Sequence, residues 1–273
     1  MEDELFKVKK RFRRMFGYEP NIHNPKIISE KLLWVRLNGK LERFAMYTDK
    51  YEVRKYIKKK IGKEYLVPMY GVYNHINHLN LRILPRTFVL KATHGCGWNI
   101  LVKDKYKLDW DKAKKQMHKW IKMNYYNKTG ERHYKPLVGR AIVEKYLKDP
   151  SGDLKDYKFH CFHGDPLVVR VIGDRFASRN EGVYDINWKE LPFNFRGKHL
   201  YSKPPEKPKQ FNEMIDIARE LSQDFAYVRV DLYNTNNKVY FGELTFLPSG
   251  GVFPEPLDYQ EWLGAYLDLN RYL

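Results

Sequence analysis

Residues 229–246 read RVDLYNTNNKVYFGELTF, in which two runs rich in Val, Tyr and Phe flank a cluster of Asn and Thr. This pattern predicts two antiparallel strands joined by a tight turn. A three-residue loop over 235–237 pairs Arg229 with Glu243 in the predicted hairpin. Side chains alternate along a strand, so one face then carries mostly polar residues: Arg229, Asp231, Phe241, Glu243 and Thr245. A loop with an even number of residues puts Asp231 and Glu243 on opposite faces, so their common face depends on the register.

The charged face of this hairpin has two interpretations that its residues alone leave open. It can be a solvated outer surface on which Arg229 and Glu243 form a cross-strand ion pair. Alternatively, Asp231 and Glu243 can hold Mg²⁺, which takes one or two carboxylates and completes its shell with substrate phosphates. Arg229 can then meet a phosphoryl group with two hydrogen bonds, and Thr245 can add an oxygen ligand or bind a metal-bound water.

Length and composition indicate a folded protein, because 43% of the 273 residues are hydrophobic and 15% are aromatic. No apolar run approaches the length of a membrane span, and residues 1–20 lack the apolar core of a signal peptide. The two cysteines, Cys96 and Cys161, do not suggest a disulfide framework. We therefore predict a cytoplasmic protein in a reducing compartment.

The formal net charge of +17 attracts polyanions, so nucleic acid, anionic lipid, nucleotides and acidic sugars are all candidate partners. The basic residues are spread widely and form no RNP-type pattern, so nucleic acid is not expected as the main partner. Residues 5–16 place apolar side chains on one helical face among Lys and Arg. We favour packing of this helix on its own domain. The alternative is contact with an anionic membrane surface, which would attach the protein peripherally to the inner face of the membrane.

The secondary-structure signals change at Pro85, because the residues before it, 1–84, are predicted to be mainly helical. The predicted elements include helices over 25–37, 49–61, 110–126 and 212–223 and strands over 88–93 and 141–147. Short strands and helices mixed without a regular βαβ alternation predict an α+β fold.

Two further segments can carry chemistry. Lys91 stands near the end of a predicted strand, before the loop HGCGWN at 94–99, and a lysine with the N–H groups of such a loop can surround phosphate oxygens. The alternative is a tight hairpin in which Gly95 and Gly97 serve only the turn. In VEKYL, Glu144 can accept a hydrogen bond from the exocyclic amine of a base or sit beside a ribose. Its alternative is a solvated side chain on a buried strand.

These motifs, in their order along the chain, resemble the ATP-grasp ligases. The order is Lys91, the glycine-bearing loop, EKYL at 144–147, and then R-x-D and E-x-T on paired strands. The D-alanine–D-alanine ligases of that superfamily have a similar E-K-aromatic-L segment and an R-x-D followed by E-x-N. Further segments resemble the TupA-like branch, which is linked to teichuronopeptide and other surface-polysaccharide synthesis. They are NPKIISEKLLWV, DKYEVRKYIKKKIGKEYLVP, LPRTFVLKATHGCGWN, DYKFHCFHGDP, YVRVDLY and VYFGELTF, which together span nearly the whole chain.

The resemblance implies an α+β ATP-grasp fold in three regions, with ATP and Mg²⁺ as cofactors. These regions are a mainly helical N-terminal region (1–84), a small lobe with a Gly-rich flap (85–147) and a C-terminal lobe with the metal and substrate site (148–273). The implied nucleotide-binding residues are Lys91, His94, Gly95, Gly97, Asn99, Glu144, Lys145 and Leu147. The implied metal ligands are Asp231, Glu243 and Thr245, and the implied catalytic residues are Arg229, Lys158 and Arg175.

Each catalytic residue has its own implied role. Arg229 contacts the transferred phosphoryl group, Lys158 lies near the phosphates or the acyl group, and Arg175 serves the substrate. The sequence departs from the family pattern at Thr245, where many ATP-grasp enzymes have Asn, and at Trp98, where the branch commonly has Gly. The acidic partner of the ribose is left open among three residues: Asp149, Asp153 and Asp156.

The implied reaction is ATP-dependent ligation of a carboxylate to an amine through an acyl phosphate. The expected substrates are an acidic sugar of the uronate type, or a polysaccharide precursor, and an amine or amino acid. One alternative is a kinase of the same fold that stops at phosphorylation of a sugar or carboxylate. Another is a non-catalytic protein that binds polyanions or membranes.

Overall fold

The computed structural model describes residues 2–173, 180–193, 201, 204–252 and 254–272. In these residues the α-helices are α1 (Glu2–Phe16), α2 (Ile28–Asn38), α3 (Ala45–Thr48), α4 (Val53–Lys60), α5 (Trp110–Lys122), α6 (Tyr125–Thr129), α7 (Phe211–Ser222) and α8 (Leu257–Ala265). The strands are β1 (Met69–Tyr73), β2 (Phe88–Ala92), β3 (Asn99–Val102), β4 (Ala141–Lys145), β5 (Asp156–Phe162), β6 (Asp165–Gly173), β7 (Asn180–Asp185), β8 (Tyr227–Thr235) and β9 (Lys238–Thr245). The predicted α+β class is confirmed.

The chain divides into two compact units. The C-terminal unit contains residues 1–41 and 149–273, and the central unit contains residues 42–148. Residues 1–41 thus belong with the C-terminal sheet, whereas the sequence predicts a single helical region over 1–84. The C-terminal boundary of the central unit lies one residue from the predicted end of the small lobe.

The central unit is a four-stranded antiparallel sheet with strand order β1-β4-β2-β3, against which α5 packs. Its core forms where Met117 of α5 meets Phe88 and Leu90 of β2, all fully buried. Trp98, in the loop after β2, joins the same core and stacks parallel to Trp120 with ring centroids 6.2 Å apart. The glycine-bearing loop is therefore held to the core by an indole ring.

The C-terminal unit is a five-stranded antiparallel sheet with strand order β7-β6-β5-β8-β9. Helix α7 covers one face, where Phe211 lies 5.9 Å from the ring of Phe159. Strand alternation puts Phe159 and Val230 on that apolar face, and it puts Lys158 and Asp231 on the opposite face. The charged residues of β8 therefore lie on the face that α7 does not cover.

Helix α1 packs on its own unit, which is the interpretation favoured from the sequence. Val8 and Phe12 are buried in a small core with Leu33 of α2 and Val252. Phe6, on the outer side of the helix, is 59% exposed. Contact of this helix with an anionic membrane surface stays a prediction.

The predicted register of the last hairpin is wrong in detail. The loop has two residues, Asn236 and Asn237, with φ of 52° and 56°, and Thr235 pairs with Lys238. Such turns need two residues that tolerate the left-handed region, and Asn is one of the residues that does. The predicted pairing of Arg229 with Glu243 is replaced, because Glu243 lies opposite Asp231.

A β-bulge at Gly242 restores the common face that the shorter loop would have removed. Phe241 pairs with Leu232 and Glu243 pairs with Asp231, so Gly242 is the extra residue. Asp231 and Glu243 therefore share a face, as predicted, although by a different route. Phe241 does not belong to this face, because its partner is the fully buried Leu232.

The bulge has no room for a side chain at position 242. A Cβ atom there would lie 2.9 Å from the carbonyl oxygen of Asp231 and 3.2 Å from Cε2 of Tyr233. We expect Gly242→Ala to lower the free energy of unfolding by about 1–3 kcal/mol, and Gly242→Val to lower it further, because the clash involves backbone. Urea denaturation monitored by fluorescence measures both. An unchanged midpoint for the valine variant would contradict this account of the bulge.

Candidate functional site

The charged face of the C-terminal sheet is centred on Asp231, which is 1% exposed. Arg229 donates from Nε and Nη2 to the two carboxylate oxygens of Asp231 at 2.6 and 2.7 Å. The same guanidinium donates to Oε1 of Glu243 at 3.2 Å and to Oγ1 of Thr245 at 3.1 Å. The structure thus brings together the four polar residues that the sequence predicts on this hairpin face.

Lys158 joins this group from the neighbouring strand. It pairs with Asp231 across β5 and β8, and its ammonium donates to the Asp231 carboxylate. On its other side the same ammonium lies 3.0 Å from Oδ2 of Asp156. Both carboxylates and the lysine are buried, so the low local dielectric strengthens these attractions.

Arg229 remains charged in this setting. Burial alone would lower the pKa of its guanidinium, but the facing Asp231, with a smaller contribution from Glu243, raises that pKa above its usual range. The group can therefore present a permanent positive charge to a phosphoryl oxygen. Its fork geometry matches two oxygens at once.

A magnesium ion is implied by the sequence, and the donors present fit a shared site for it. Asp231 and Glu243 face each other across β8 and β9, and the side chain of Glu243 is 37% exposed. Within the described ranges, no three His, Cys, Asp or Glu side chains converge to hold a metal alone. Two carboxylates suit Mg²⁺ when substrate phosphates complete its shell.

The charged row extends one strand beyond Lys158, to Arg170 on β6. Arg170 is the cross-strand neighbour of Lys158, on the side away from Asp231. Its Nη1 lies 2.7 Å from Oε1 of Glu255, whose side chain is 1% exposed. Burial alone would lower the pKa of Arg170, but Glu255 raises it above its usual range, so the guanidinium remains charged.

The central unit carries a second charged group, built on Glu144. Lys91 and Glu144, both predicted nucleotide-binding residues, are joined by a hydrogen bond of 2.8 Å from Nζ to Oε2. Arg54 holds the other oxygen, Oε1, at 3.0 Å and also donates to the carbonyl of Val67 at 3.0 Å. The buried carboxylate of Glu144 therefore lies between two cations, Lys91 and Arg54, and the excess positive charge of this group can attract an anion.

The glycine-bearing loop is fixed from two directions. Lys50 donates from Nζ to the carbonyl oxygen of Gly95 at 2.6 Å. The side chain of His94 points inward, where Nε2 lies 2.9 Å from the carbonyl oxygen of Met123 and 3.1 Å from that of Trp120. Burial lowers the pKa of His94. His94 thus anchors the loop in this structure, and its predicted contact with nucleotide stays a prediction.

The remaining residues predicted to bind the nucleotide lie at the ends of β3 and β4. Asn99 is exposed and pairs with Lys91 across β2 and β3, while Gly97 precedes it with a φ of 72°. Lys145 has an exposed side chain, and its N–H donates to the carbonyl of Pro68 at 2.8 Å. Leu147 is half-buried. Arg175, the predicted substrate residue, lies outside the described residues.

The three candidate ribose partners have different surroundings in the structure. Asp149 accepts hydrogen bonds from the backbone and hydroxyl of Ser151, at 2.9 and 2.6 Å. Asp153 lies 3.4 Å from Nζ of Lys155, with both side chains partly exposed. Asp156 is buried beside Lys158. Asp149 and Asp153 are thus both partly exposed, whereas Asp156 is buried.

Sequence reasoning missed several members of these groups. Lys50 and Arg54 lie in a segment, DKYEVRKYIKKK, whose many cations conceal which ones are used. Arg170 and Glu255 are far apart in sequence, and neither lies in a recognisable motif. The separation of Lys50 from Gly95 and of Arg54 from Glu144 shows why local pattern alone did not find them.

The fold is similar to that of two solved structures of D-alanine–D-alanine ligase from Bacillus anthracis. One, complexed with ATP, is 16% identical with a TM-score of 0.50, and the match covers 86% of this chain and 72% of that chain. The other is 17% identical with a TM-score of 0.52, covering 86% and 73%. Identities this low show the fold alone. A comparison with curated proteins finds no match.

The fold agrees with a match to a family of ATP-grasp proteins. The family model for TupA-like ATPgrasp matches residues 30–268. The chain belongs to this family, and it is an enzyme of the ATP-grasp ligase class. In the described part of the chain, no helix has both the length and the apolar character that crossing a bilayer requires.

Proposed function

We propose that the protein uses ATP to join a carboxylate to an amine, with an acidic sugar of the uronate type as the carboxylate. The observation that carries this proposal is the Arg229–Asp231–Glu243–Thr245 cluster with Lys158 beside it. The cluster places the cations Arg229 and Lys158 beside the carboxylate of Asp231, and Arg229 also contacts the accessible carboxylate of Glu243. Phosphoryl transfer depends on charge stabilisation and alignment, which is the chemistry that such a group offers.

In the first step a substrate carboxylate oxygen attacks the γ-phosphorus of ATP, and ADP leaves. Arg229 is positioned by Asp231 to neutralise charge on the transferred phosphoryl group, and Lys158 supports the same region. Mg²⁺, when bound by Asp231 and Glu243 with Thr245 beside them, would supply further charge neutralisation at the phosphates. Lys91, with the backbone of the glycine-bearing loop, contacts the α- and β-phosphates in this proposal.

In the second step an amine attacks the acyl carbon, and inorganic phosphate leaves as the amide forms. The amine must lose a proton in this step. Glu243 is the one carboxylate of the cluster with substantial exposure, and it accepts a hydrogen bond from Thr245 at 3.3 Å. In this proposal the proton leaves on the departing phosphate, and Glu243 acts in metal binding.

The choice of an acidic sugar rests on charge and on the family resemblance. The chain has a net charge of +17, which favours anionic substrates. An amino acid or another small amine completes the proposed pair. A surface-polysaccharide precursor is the form in which such a sugar would be presented.

The experiment is a screen for phosphate release with Mg·ATP against panels of uronates and amines, followed by mass analysis of the products. We expect release to require both a carboxylate and an amine and to yield an amide. Phosphorylated product without any dependence on amine would identify a kinase instead. Absence of Mg·ATP binding by calorimetry would overturn both and leave a non-catalytic protein.

A further inference from the structure

The positive charge of this protein is concentrated in one of its two units. Residues 42–148 contain 25 Lys and Arg against 9 Asp and Glu, a formal net charge of +16. The other unit, residues 1–41 and 149–273, contains 25 against 24, a formal net charge of +1. The imbalance has two sources, because the central unit carries as many cations as the other unit in fewer residues, 107 against 166, and also has fewer acidic residues.

Part of this charge forms a line on the surface of α5, which we call the lysine stripe. It consists of Lys112, Lys115, Lys119 and Lys122, and all four are exposed. Their spacing of three, four and three residues puts them on one side of a helix. With a rise of about 1.5 Å per residue, the stripe is about 15 Å long.

The positive charges of the stripe are not neutralised by ion pairs with acidic side chains in the described part of the chain. The ion pair of α5 joins Lys114 to Asp111 at 3.0 Å, outside the stripe, and none of the four stripe lysines pairs with an acid among the described residues. Like charges three and four residues apart destabilise a helix. The helix dipole favours Lys119 and Lys122 in the last turn, but it disfavours Lys112 in the first. Helix stability therefore does not explain the stripe.

The surroundings of the stripe indicate the kind of anion that fits it. The two tryptophans of α5, Trp110 and Trp120, pack against the core of the central unit, so their rings are not presented as stacking surfaces for the bases of a single-stranded nucleic acid. Asp111 stands beside the stripe with a side chain 92% exposed, and its carboxylate repels a broad anionic surface that would cover it more than a single chain that lies along the lysines alone. A narrow line of ammonium groups suits a narrow, flexible polymer with repeated negative charges.

We propose that the lysine stripe of α5 is a docking surface for a linear anionic polysaccharide, whose carboxylates lie along the four ammonium groups. The choice of a glycan rests on the proposed function. The docking surface would bind a polymeric acceptor outside the catalytic site. Docking is independent of turnover, so it can be measured without ATP. Contacts of this kind are electrostatic and weaken as salt is added.

The test compares the triple variant Lys115→Gln, Lys119→Gln, Lys122→Gln with the control triple Lys58→Gln, Lys59→Gln, Lys63→Gln. The control lysines are exposed and belong to the same unit, and their substitution removes the same three positive charges. The probe is polygalacturonate at low ionic strength, with neutral dextran as the blank. We expect the stripe variant to bind about tenfold more weakly than the unmodified protein, while the control stays within about threefold.

Equal losses in both triples would overturn the proposal, because net charge alone would then account for binding. A second contrary result is that the unmodified protein binds oligo(dT) or phosphatidylglycerol vesicles more tightly than polygalacturonate, and that the stripe variant loses this binding. This result would also overturn the proposal, in favour of a nucleic acid or a membrane as the partner. Turnover of a small uronate should be unchanged in the stripe variant. If neither the unmodified protein nor its variants turn over any uronate, the proposed function fails. The comparison of polygalacturonate binding still decides whether the lysine stripe is a docking surface.

Discussion

Asp231→Asn is expected to reduce ATP turnover by about a thousandfold or more, because it removes the negative charge around which the cluster is built. Asp231 is buried, holds Arg229 through two hydrogen bonds, and accepts one from Lys158. An asparagine has nearly the same shape but neither the charge nor the second acceptor oxygen. The variant therefore loses both the implied metal ligand and the anchor of Arg229, the residue proposed to bind the phosphoryl group. Phosphate release under saturating Mg·ATP measures the effect.

The fold of this variant should survive, which makes the loss interpretable. Arg229 keeps its bonds to Glu243 and Thr245, and Lys158 keeps Asp156. We expect a cost of about 1–3 kcal/mol in the free energy of unfolding, well below the total for a domain of this size. Asp216→Asn, the same change at an exposed position on α7, serves as the control and should leave turnover unaltered. Full turnover in Asp231→Asn would remove this cluster from the reaction.

The sequence predicted the strands of the last hairpin but not how they pair. The common face of Asp231 and Glu243 results from two features that compensate each other, a two-residue turn and a one-residue bulge. Each has a local signal, since Asn236 and Asn237 tolerate left-handed backbone and Gly242 interrupts a strand. Neither signal alone fixes the register, because a bulge can be placed only when the packing of both faces is known.

Side-chain direction in the glycine-bearing loop could not be derived from the sequence. The loop was predicted between two strands, and the structure has it between β2 and β3. The carbonyl groups that hold His94 belong to Trp120 and Met123, which become neighbours only when α5 packs on the sheet. The same applies to Glu144, whose second cation, Arg54, lies 90 residues earlier. Motif order identified the segments, and tertiary packing decided what each side chain contacts.

Lys158→Met is expected to lower the free energy of unfolding by about 3–5 kcal/mol, the typical cost of removing one partner of a buried ion pair. The ammonium of Lys158 is the shared partner of Asp156 and Asp231, and all three side chains are less than a tenth exposed. Methionine preserves the length and apolar stem of the side chain, so the loss reports the charge. Chemical denaturation of the variant measures it, and Lys155→Met, at a partly exposed pair with Asp153, should cost less than about 1 kcal/mol.

The double variant Lys158→Met, Asp156→Asn separates an electrostatic cause from simple loss of packing. If the cost arises from a buried carboxylate left without its cation, neutralising Asp156 should restore about half of it or more, because Asp231 still has Arg229. If the cost arises from packing, the second substitution should restore nothing. Turnover should stay low in both, because Lys158 is part of the proposed phosphoryl site. Because Asp156 is itself a candidate ribose partner, the reference for turnover is the single variant Asp156→Asn. Turnover of the double variant far below that reference would assign Lys158 a part in the reaction as well as in the fold, whereas equal turnover would confine it to the fold.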